Sequence, residues 1–158
     1  MRLRRAIPKL APAAEVRLTL SYHPRAHLTT KRLVIGHVMV CHGCCCGNLS
    51  KGKPEVPVEW LKEEWRHRGL LKNIQLTICG CLGPCDLSNV IAISDAGERA
   101  WLGNVSQHVQ YLALLNWASQ SKAAGMLLPL PPEFDGMRFD PFRSCSSDIE
   151  FAAEGEIA

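Results

Sequence analysis

The chain has 158 residues, 47% of them hydrophobic and 21% charged, which is ordinary for one globular domain and excludes a largely disordered chain. No stretch approaches the roughly 18 consecutive apolar residues that span a bilayer, so the sequence predicts no membrane-spanning helix. The net charge of +3 is uneven, because residues 1–32 carry eight Lys and Arg against one acid, and residues 123–158 carry two against seven.

The cysteines are numerous and clustered. Three of the eight are consecutive, Cys44, Cys45 and Cys46, and adjacent cysteines have poor geometry for bridging one another. The N-terminus has no apolar run long enough for a secretory signal. In a reducing compartment, clustered cysteines more often serve metal or redox chemistry than disulfides. We therefore expect a soluble, cytoplasmic protein with a thiol-based site.

One strong strand signal stands in the first 55 residues. Residues 32–40 form a nearly continuous, β-branched apolar run, typical of a central strand buried on both faces. This strand leads directly into Cys41, and the glycines and polar residues of 42–55 predict an irregular loop. Before it, residues 1–31 are interpreted as a basic N-terminal extension, with a short alternating strand over 14–22.

A helix with clear boundaries follows the loop. Pro57 suits its first turn and Gly69 its C-terminal stop. Val58, Leu61 and Trp65 lie at helical spacing, so they are expected to form its buried stripe.

Residues 73–78 alternate between apolar and polar side chains as a second strand. A helix joining two strands of one sheet makes them parallel. The carboxyl ends of parallel neighbours meet at one edge of the sheet, where open α/β sheets place their sites. This predicts that Cys41 lies beside the cysteines of 79–85.

The second half predicts a hairpin and a helix. Residues 90–93 and 100–105 are expected to be paired strands around a turn at 95–98. A helix is expected from about 106 to 122, ended by Gly125. Its predicted apolar face consists of Val109, Leu112, Ala113 and Trp117.

This order, β-α-β-β-β-α, predicts an α/β domain of thioredoxin-like fold over 32–124, with a small mixed sheet flanked by helices. Residues 125–158 are interpreted as an acidic, proline-containing tail. Its first half is expected to lie over the domain surface, held there by Phe134, Phe139 and Phe142.

Two cysteine pairs have the spacing of a four-thiolate site. Four residues separate Cys41 from Cys46, and three separate Cys81 from Cys85. Iron and zinc both accept four converging thiolates, and the Gly83-Pro84 turn can aim both members of the second pair at one centre. Spacing alone does not choose between the metals, so a structural zinc site on the same four thiolates stays open.

The same residues carry a resemblance to a known family. Cys-x4-Cys followed by Cys-Leu-Gly-Pro-Cys-Asp-Leu-Ser-Asn resembles the thioredoxin-like 2Fe-2S ferredoxins. Residues 40–47 and 54–57 are closer to stand-alone bacterial 2Fe-2S ferredoxin-domain proteins, some of them associated with cobalamin biosynthesis and cobalt insertion. The resemblance covers roughly 33–122. It implies a one-electron carrier, not an enzyme, that serves redox partner proteins and is often a homodimer. The implied ligands of the 2Fe-2S cluster are Cys41, Cys46, Cys81 and Cys85.

The surplus cysteines leave one ligand open. Cys44 and Cys45 compete with Cys46 for a position in the binding loop, so either could replace it. Cys79, at a strand end, and Cys145, in the acidic tail, are expected to be spectators.

A thiol-disulfide oxidoreductase is a rival interpretation, because Cys41-His42-Gly43-Cys44 is a Cys-x-x-Cys motif after a strand. Thioredoxin chemistry places its nucleophile at a helix N-terminus, and the predicted helix begins more than ten residues later. His37 is expected to be structural and His42 to lie outside the ligand set.

The basic residues lack an aromatic platform, so no nucleic-acid binding is expected. A positive surface for an acidic redox partner is expected if the loop 42–55 meets the C-terminal end of the first predicted helix. Its residues would be Lys51, Lys53, Arg66, Arg68 and Lys72.

Overall fold

The computed structural model describes residues 30–142, which form a mixed α/β fold around a five-stranded sheet. The extension strand predicted over 14–22 and the expectation for Cys145 lie outside the described residues. The sheet has the order β2-β1-β3-β4-β5. Its strands are β1 (Gly36–Cys41), β2 (Ile74–Cys79), β3 (Ile91–Ser94), β4 (Arg99–Leu102) and β5 (Arg138–Phe139), with helices α1 (Val58–His67) and α2 (His108–Ala124).

Strand β1 lies inside the sheet between β2 and β3, as its apolar run predicted, but it begins at Gly36 and not at residue 32, and Leu33 is 80% exposed. It pairs with β2 in parallel and with β3 antiparallel, and Cys41 stands opposite Cys79 in the parallel register. Val38 and Val40 are fully buried. The parallel relation predicted from the helical crossover is therefore confirmed, and both strands end at the same edge.

Helix α1 begins directly after Pro57 and ends before Gly69, which adopts the left-handed conformation with φ of 62°. Leu61 and Trp65 are fully buried, as predicted. The indole nitrogen of Trp65 donates to the carbonyl oxygen of Ile74 at 2.9 Å, so the helix is tied to the first residue of β2.

Helix α2 ends at Gly125 as predicted, but it buries a different face. Val109 is 61% exposed and Leu112 37% exposed, whereas Trp117 is buried. The helix carries apolar residues nearly all round, so its 3.6-residue period does not single out one stripe. Packing decides instead, and the buried residues of the helix are Tyr111, Leu114, Leu115, Trp117, Ala118 and Ser121.

The segment after α2 adds a strand to the sheet edge. Phe134 is fully buried, and Phe139 lies in β5 opposite Trp101 of β4. The ring of Phe142 contacts Trp101 edge-on and lies under the guanidinium of Arg99, at 4.4 Å. The three phenylalanines therefore hold this segment to the domain, as expected. Among residues 30–142, no helix is long and apolar enough to cross a bilayer.

Candidate metal centre

Both cysteine loops leave the sheet at the carboxyl ends of β1 and β2. The backbone N–H of His42 donates to the carbonyl of Cys79 at 2.9 Å, one residue beyond the end of β1. The N–H of Cys41 donates to Val90 at 3.0 Å on the other side. The predicted meeting of the two loops is confirmed.

The two predicted cysteine pairs lie in different environments. Cys41 and Cys46 are only 2% and 1% exposed, and Cys46 lies near enough to raise the pKa of Cys41. The Sγ atoms of Cys81 and Cys85 lie 3.3 Å apart, with Cys81 exposed and Cys85 partly buried. Cys41 and Cys81 are near enough for the charge of one to affect the pKa of the other. One pair is therefore buried, and the other is nearer to solvent.

Cys44 and Cys45 belong to the same group. The Sγ atoms of Cys44, Cys45 and Cys85 all lie within 4.8 Å of one another. Cys44 lies near enough to Cys81 to lower its pKa, and Cys45 near enough to Cys85 to raise its pKa. Of the four predicted ligands, the group within 4.8 Å contains only Cys85. We call the six cysteines of the two loops the cysteine cluster: Cys41, Cys44, Cys45, Cys46, Cys81 and Cys85.

Glycines at positive φ produce the turns that gather these sulfurs. Gly43 (φ 111°) and Gly47 (φ 71°) flank the first loop, where the N–H of Gly43 donates to the carbonyl of Cys46 at 2.9 Å. Gly83 (φ 115°) is in the second loop, and its N–H donates to the Sγ of Cys81 at 3.3 Å. L-residues with a side chain rarely adopt these conformations, so the glycines are required for the turns.

Asn89 connects the segment after the second loop to the first loop through hydrogen bonds. It follows the second loop, is fully buried, and accepts the N–H of Gly47 on its Oδ1 at 2.8 Å. Its amide nitrogen lies within hydrogen-bond distance of four acceptors, which belong to Pro54, Glu55, Val105 and Tyr111. Sequence reasoning missed this residue, although an asparagine preceding the apolar run of β3 was a signal for it.

The environment gives Cys41, Cys81 and Cys85 different pKa values. Burial, followed by the hydrogen bond from Cys46, raises the pKa of Cys41 to about 11. The hydrogen bond shared with Cys81 raises the pKa of Cys85 to about 12, and that same bond lowers the pKa of Cys81. Cys81 is therefore the favoured thiolate of its pair, and metal binding must displace protons from Cys41 and Cys85.

The remaining candidates lie outside the cysteine cluster. Cys79 donates its S–H to the carbonyl of Val40 at 3.5 Å, which fits the expected spectator. His37 hydrogen-bonds to Thr77 at 2.8 Å, so it is structural, as expected. His42 is exposed, and its ring packs against Gly47.

The predicted positive surface is divided. Lys51 lies at the cysteine loop, where its ammonium donates to the carbonyl of Cys44 at 2.8 Å. Lys72 precedes β2, whose opposite end carries Cys79. At about 3.3 Å per residue, the six-residue strand separates the two ends by roughly 15–20 Å. The expectation that the α1 end and the cysteine loop form one surface is therefore wrong, because the helix runs back to the start of β2.

The donor chemistry fits a thiophilic metal centre. Thiolates select zinc and iron–sulfur clusters, whereas magnesium and calcium prefer oxygen ligands. The seven cysteines of the described residues are free of disulfides, so these thiols are available as donors.

Comparison with models of protein families finds no match for this sequence, and a search of curated proteins finds none either. The functional conclusion therefore depends on the residues of the chain.

Proposed function

We propose that this protein is a one-electron carrier that binds a 2Fe-2S cluster through Cys41, Cys46, Cys81 and Cys85. The observation that carries the proposal is that the two cysteine pairs, separated by 34 residues, follow the ends of neighbouring parallel strands. Four thiolates form the usual ligand set of such clusters.

The fold supports the same conclusion at the level of architecture. Strands β1 and β2 form a parallel βαβ unit through α1, and β3 and β4 continue the sheet as an antiparallel hairpin. This order of elements, with α2 after the hairpin, is the support for a thioredoxin-like ferredoxin domain.

The chain supplies hydrogen bonds to the sulfurs. The N–H of Gly83 donates to the Sγ of Cys81 at 3.3 Å and so stabilises negative charge on that ligand atom. When bound, a 2Fe-2S cluster provides reversible one-electron chemistry. Because Cys41 and Cys46 are buried while Cys81 is exposed, the exposed side is where a partner protein would exchange electrons.

The partner would meet Lys51 at this edge. Its ammonium is exposed and lies against the cysteine loop, so an acidic redox partner is the expected match. A role in cobalamin or cobalt metabolism and the formation of a homodimer come from the resemblance of the motifs alone.

A thiol-disulfide role has less support. Helix α1 begins at Val58, so no α-helix N-terminus of the described residues directly follows Cys41 or Cys44, as the chemistry of a thioredoxin nucleophile requires.

Anaerobic purification followed by ultraviolet-visible and electron paramagnetic resonance spectroscopy tests the proposal. We expect a coloured protein with a reducible cluster, iron and sulfide in equal amounts, and loss of the signal in Cys41→Ser and Cys81→Ser. Cys79→Ser is the matched control and should keep the cluster. A colourless protein that contains zinc would refute the proposal in favour of a structural zinc site.

A further inference from the structure

We propose that the exposed side of the cysteine cluster is a second metal site, which holds one ion of the Zn²⁺ class through Cys44, Cys45, Cys81 and Cys85. Two of these ligands, Cys44 and Cys45, have no role in the proposed 2Fe-2S cluster. The inference therefore stands apart from the proposed function, although the two ligand sets share Cys81 and Cys85.

The spacing of the sulfurs suits a single ion. A tetrahedral ion with Zn–S bonds of about 2.3 Å places its sulfurs roughly 3.8 Å apart. The Sγ atoms of Cys44, Cys45 and Cys85 lie within 4.8 Å of one another, and Cys81 lies 3.3 Å from Cys85. Cys81, next to Cys85, supplies the fourth sulfur of the proposed site.

The backbone of the loop holds these two extra thiols in place. The carbonyl of Cys44 accepts from the ammonium of Lys51 at 2.8 Å and from the side-chain amide of Asn48 at 3.2 Å. The carbonyl of Cys45 accepts from the N–H of Asn48 at 3.1 Å. Hydrogen bonds that fix the residues carrying the ligands contribute strongly to metal affinity.

Charge also favours an ion here. Four thiolates and one divalent ion leave a net charge of about −2, and Lys51 brings a positive charge to the same loop. The site is open to solvent, because Cys44 and Cys81 are exposed, so an ion can enter without opening the core. The buried pair Cys41 and Cys46 stays outside this site.

Sharing two ligands makes the two kinds of occupancy exclusive. The cluster would use Cys81 and Cys85 with the buried pair, whereas the single ion would use them with Cys44 and Cys45. A chain loaded with one therefore cannot take up the other without a change of ligands.

Zinc binding to the full-length, reduced, metal-free protein tests the inference. Competition against a chromophoric chelator gives the affinity, and Cd²⁺-thiolate absorbance counts the sulfurs bound. We expect one ion per chain with four thiolates. The double variant Cys44→Ser/Cys45→Ser should lose at least about 100-fold in affinity, since removing even supporting hydrogen bonds costs 10–100-fold.

The double variant Cys41→Ser/Cys46→Ser is the control for ligand number and should bind zinc within about threefold of the wild type. Full zinc affinity in Cys44→Ser/Cys45→Ser would overturn the inference, as would a selective loss in the buried-pair variant. Because that pair is buried, Cys79→Ser provides a second control that leaves the core pair intact. If both double variants lose zinc equally while Cys79→Ser does not, the exposed site is also refuted.

The same variants separate this inference from the proposed function. Anaerobic iron–sulfur reconstitution of Cys44→Ser/Cys45→Ser should still produce the 2Fe-2S signal. Failure of zinc binding with an intact cluster signal rejects the second site alone. Zinc binding in a chain that forms no cluster under any condition rejects the proposed function alone.

Discussion

Replacing Asn89 with leucine removes the group that joins the two cysteine loops while keeping a side chain of similar size. Asn89 is fully buried, and its Oδ1 accepts the N–H of Gly47 at 2.8 Å. Its amide nitrogen donates toward Pro54 and Val105 at 3.1 Å each. Leucine makes none of these hydrogen bonds.

The cost follows from the partners left behind. An unsatisfied buried polar group costs about 1–3 kcal/mol. The carbonyl of Val105 keeps the hydroxyl of Tyr111 as a donor at 3.1 Å, so its loss is partly compensated. The N–H of Gly47 and the carbonyl of Pro54 have no such replacement in the described contacts, and Gly47 is only half-buried. We expect the free energy of unfolding to fall by about 3 kcal/mol.

Urea unfolding of the reduced, metal-free protein measures this loss. Asn116→Leu is the matched control, because Asn116 is exposed and accepts a hydrogen bond from Arg68 at 2.9 Å. That substitution should change stability by no more than about 0.5 kcal/mol. A loss below about 1 kcal/mol in Asn89→Leu would show that Asn89 is not the link between the loops.

Three further changes test the turns, the thiols and the docking edge. Gly83→Ala forces a side chain onto a backbone at φ 115°, so we expect the free energy of unfolding to fall by about 1–3 kcal/mol and metal retention to weaken. Gly80→Ala is the control, because Gly80 has open space around it, and it should change neither stability nor metal retention. Burial raises the pKa of Cys41 from 9.0 to about 11, so this thiol keeps its proton to higher pH in the folded metal-free protein than in the unfolded chain. The free energy of unfolding should therefore fall as pH rises from 9 toward 11. A free energy of unfolding that does not change with pH in that window would contradict this. Lys51→Glu should slow electron transfer to an acidic partner at low salt, and Lys72→Glu, at the other end of β2, should not; equal effects would argue against docking at the cysteine loop.

The position of the site was predictable because it depends on strong, local signals. Each of the first three elements has its own signal in the sequence. Strand β1 has a continuous apolar run, helix α1 has a proline at its start and a glycine at its end, and β2 alternates between apolar and polar residues. Parallel pairing then brings the cysteines after the two strands to one edge, whatever the rest of the chain does.

The packing of the second half was less predictable for a physical reason. In α2, apolar residues occur on both the predicted face and the buried face, so Leu112 and Leu115 are equivalent by composition. The buried face is selected by contacts distant in sequence, such as that between Tyr111 and Asn89. Strand β5 has only two residues, which is too short for a period to be visible.

The orientation of the consecutive cysteines could not be predicted from their spacing. Cys44, Cys45 and Cys46 are neighbours in sequence, yet Cys46 is buried against Cys41 while Cys44 is exposed. The turns at Gly43 and Gly47 decide this, because backbone angles, and not side-chain type, set the direction of each sulfur. Three identical residues therefore occupy three different environments.

The pair Cys81 and Cys85 is the common element of both proposed metal-binding modes, and its geometry explains why. Its sulfurs lie 3.3 Å apart on a short turn, with the N–H of Gly83 supporting the thiolate of Cys81. The first loop, by contrast, provides two alternative pairs of further ligands. One is the buried pair Cys41 and Cys46, and the other is the more accessible pair Cys44 and Cys45. In these two proposed modes, a buried ligand pair and an accessible one, both within residues 41–47, compete for Cys81 and Cys85. Substitutions that change which pair is presented should change the metal bound without changing the fold.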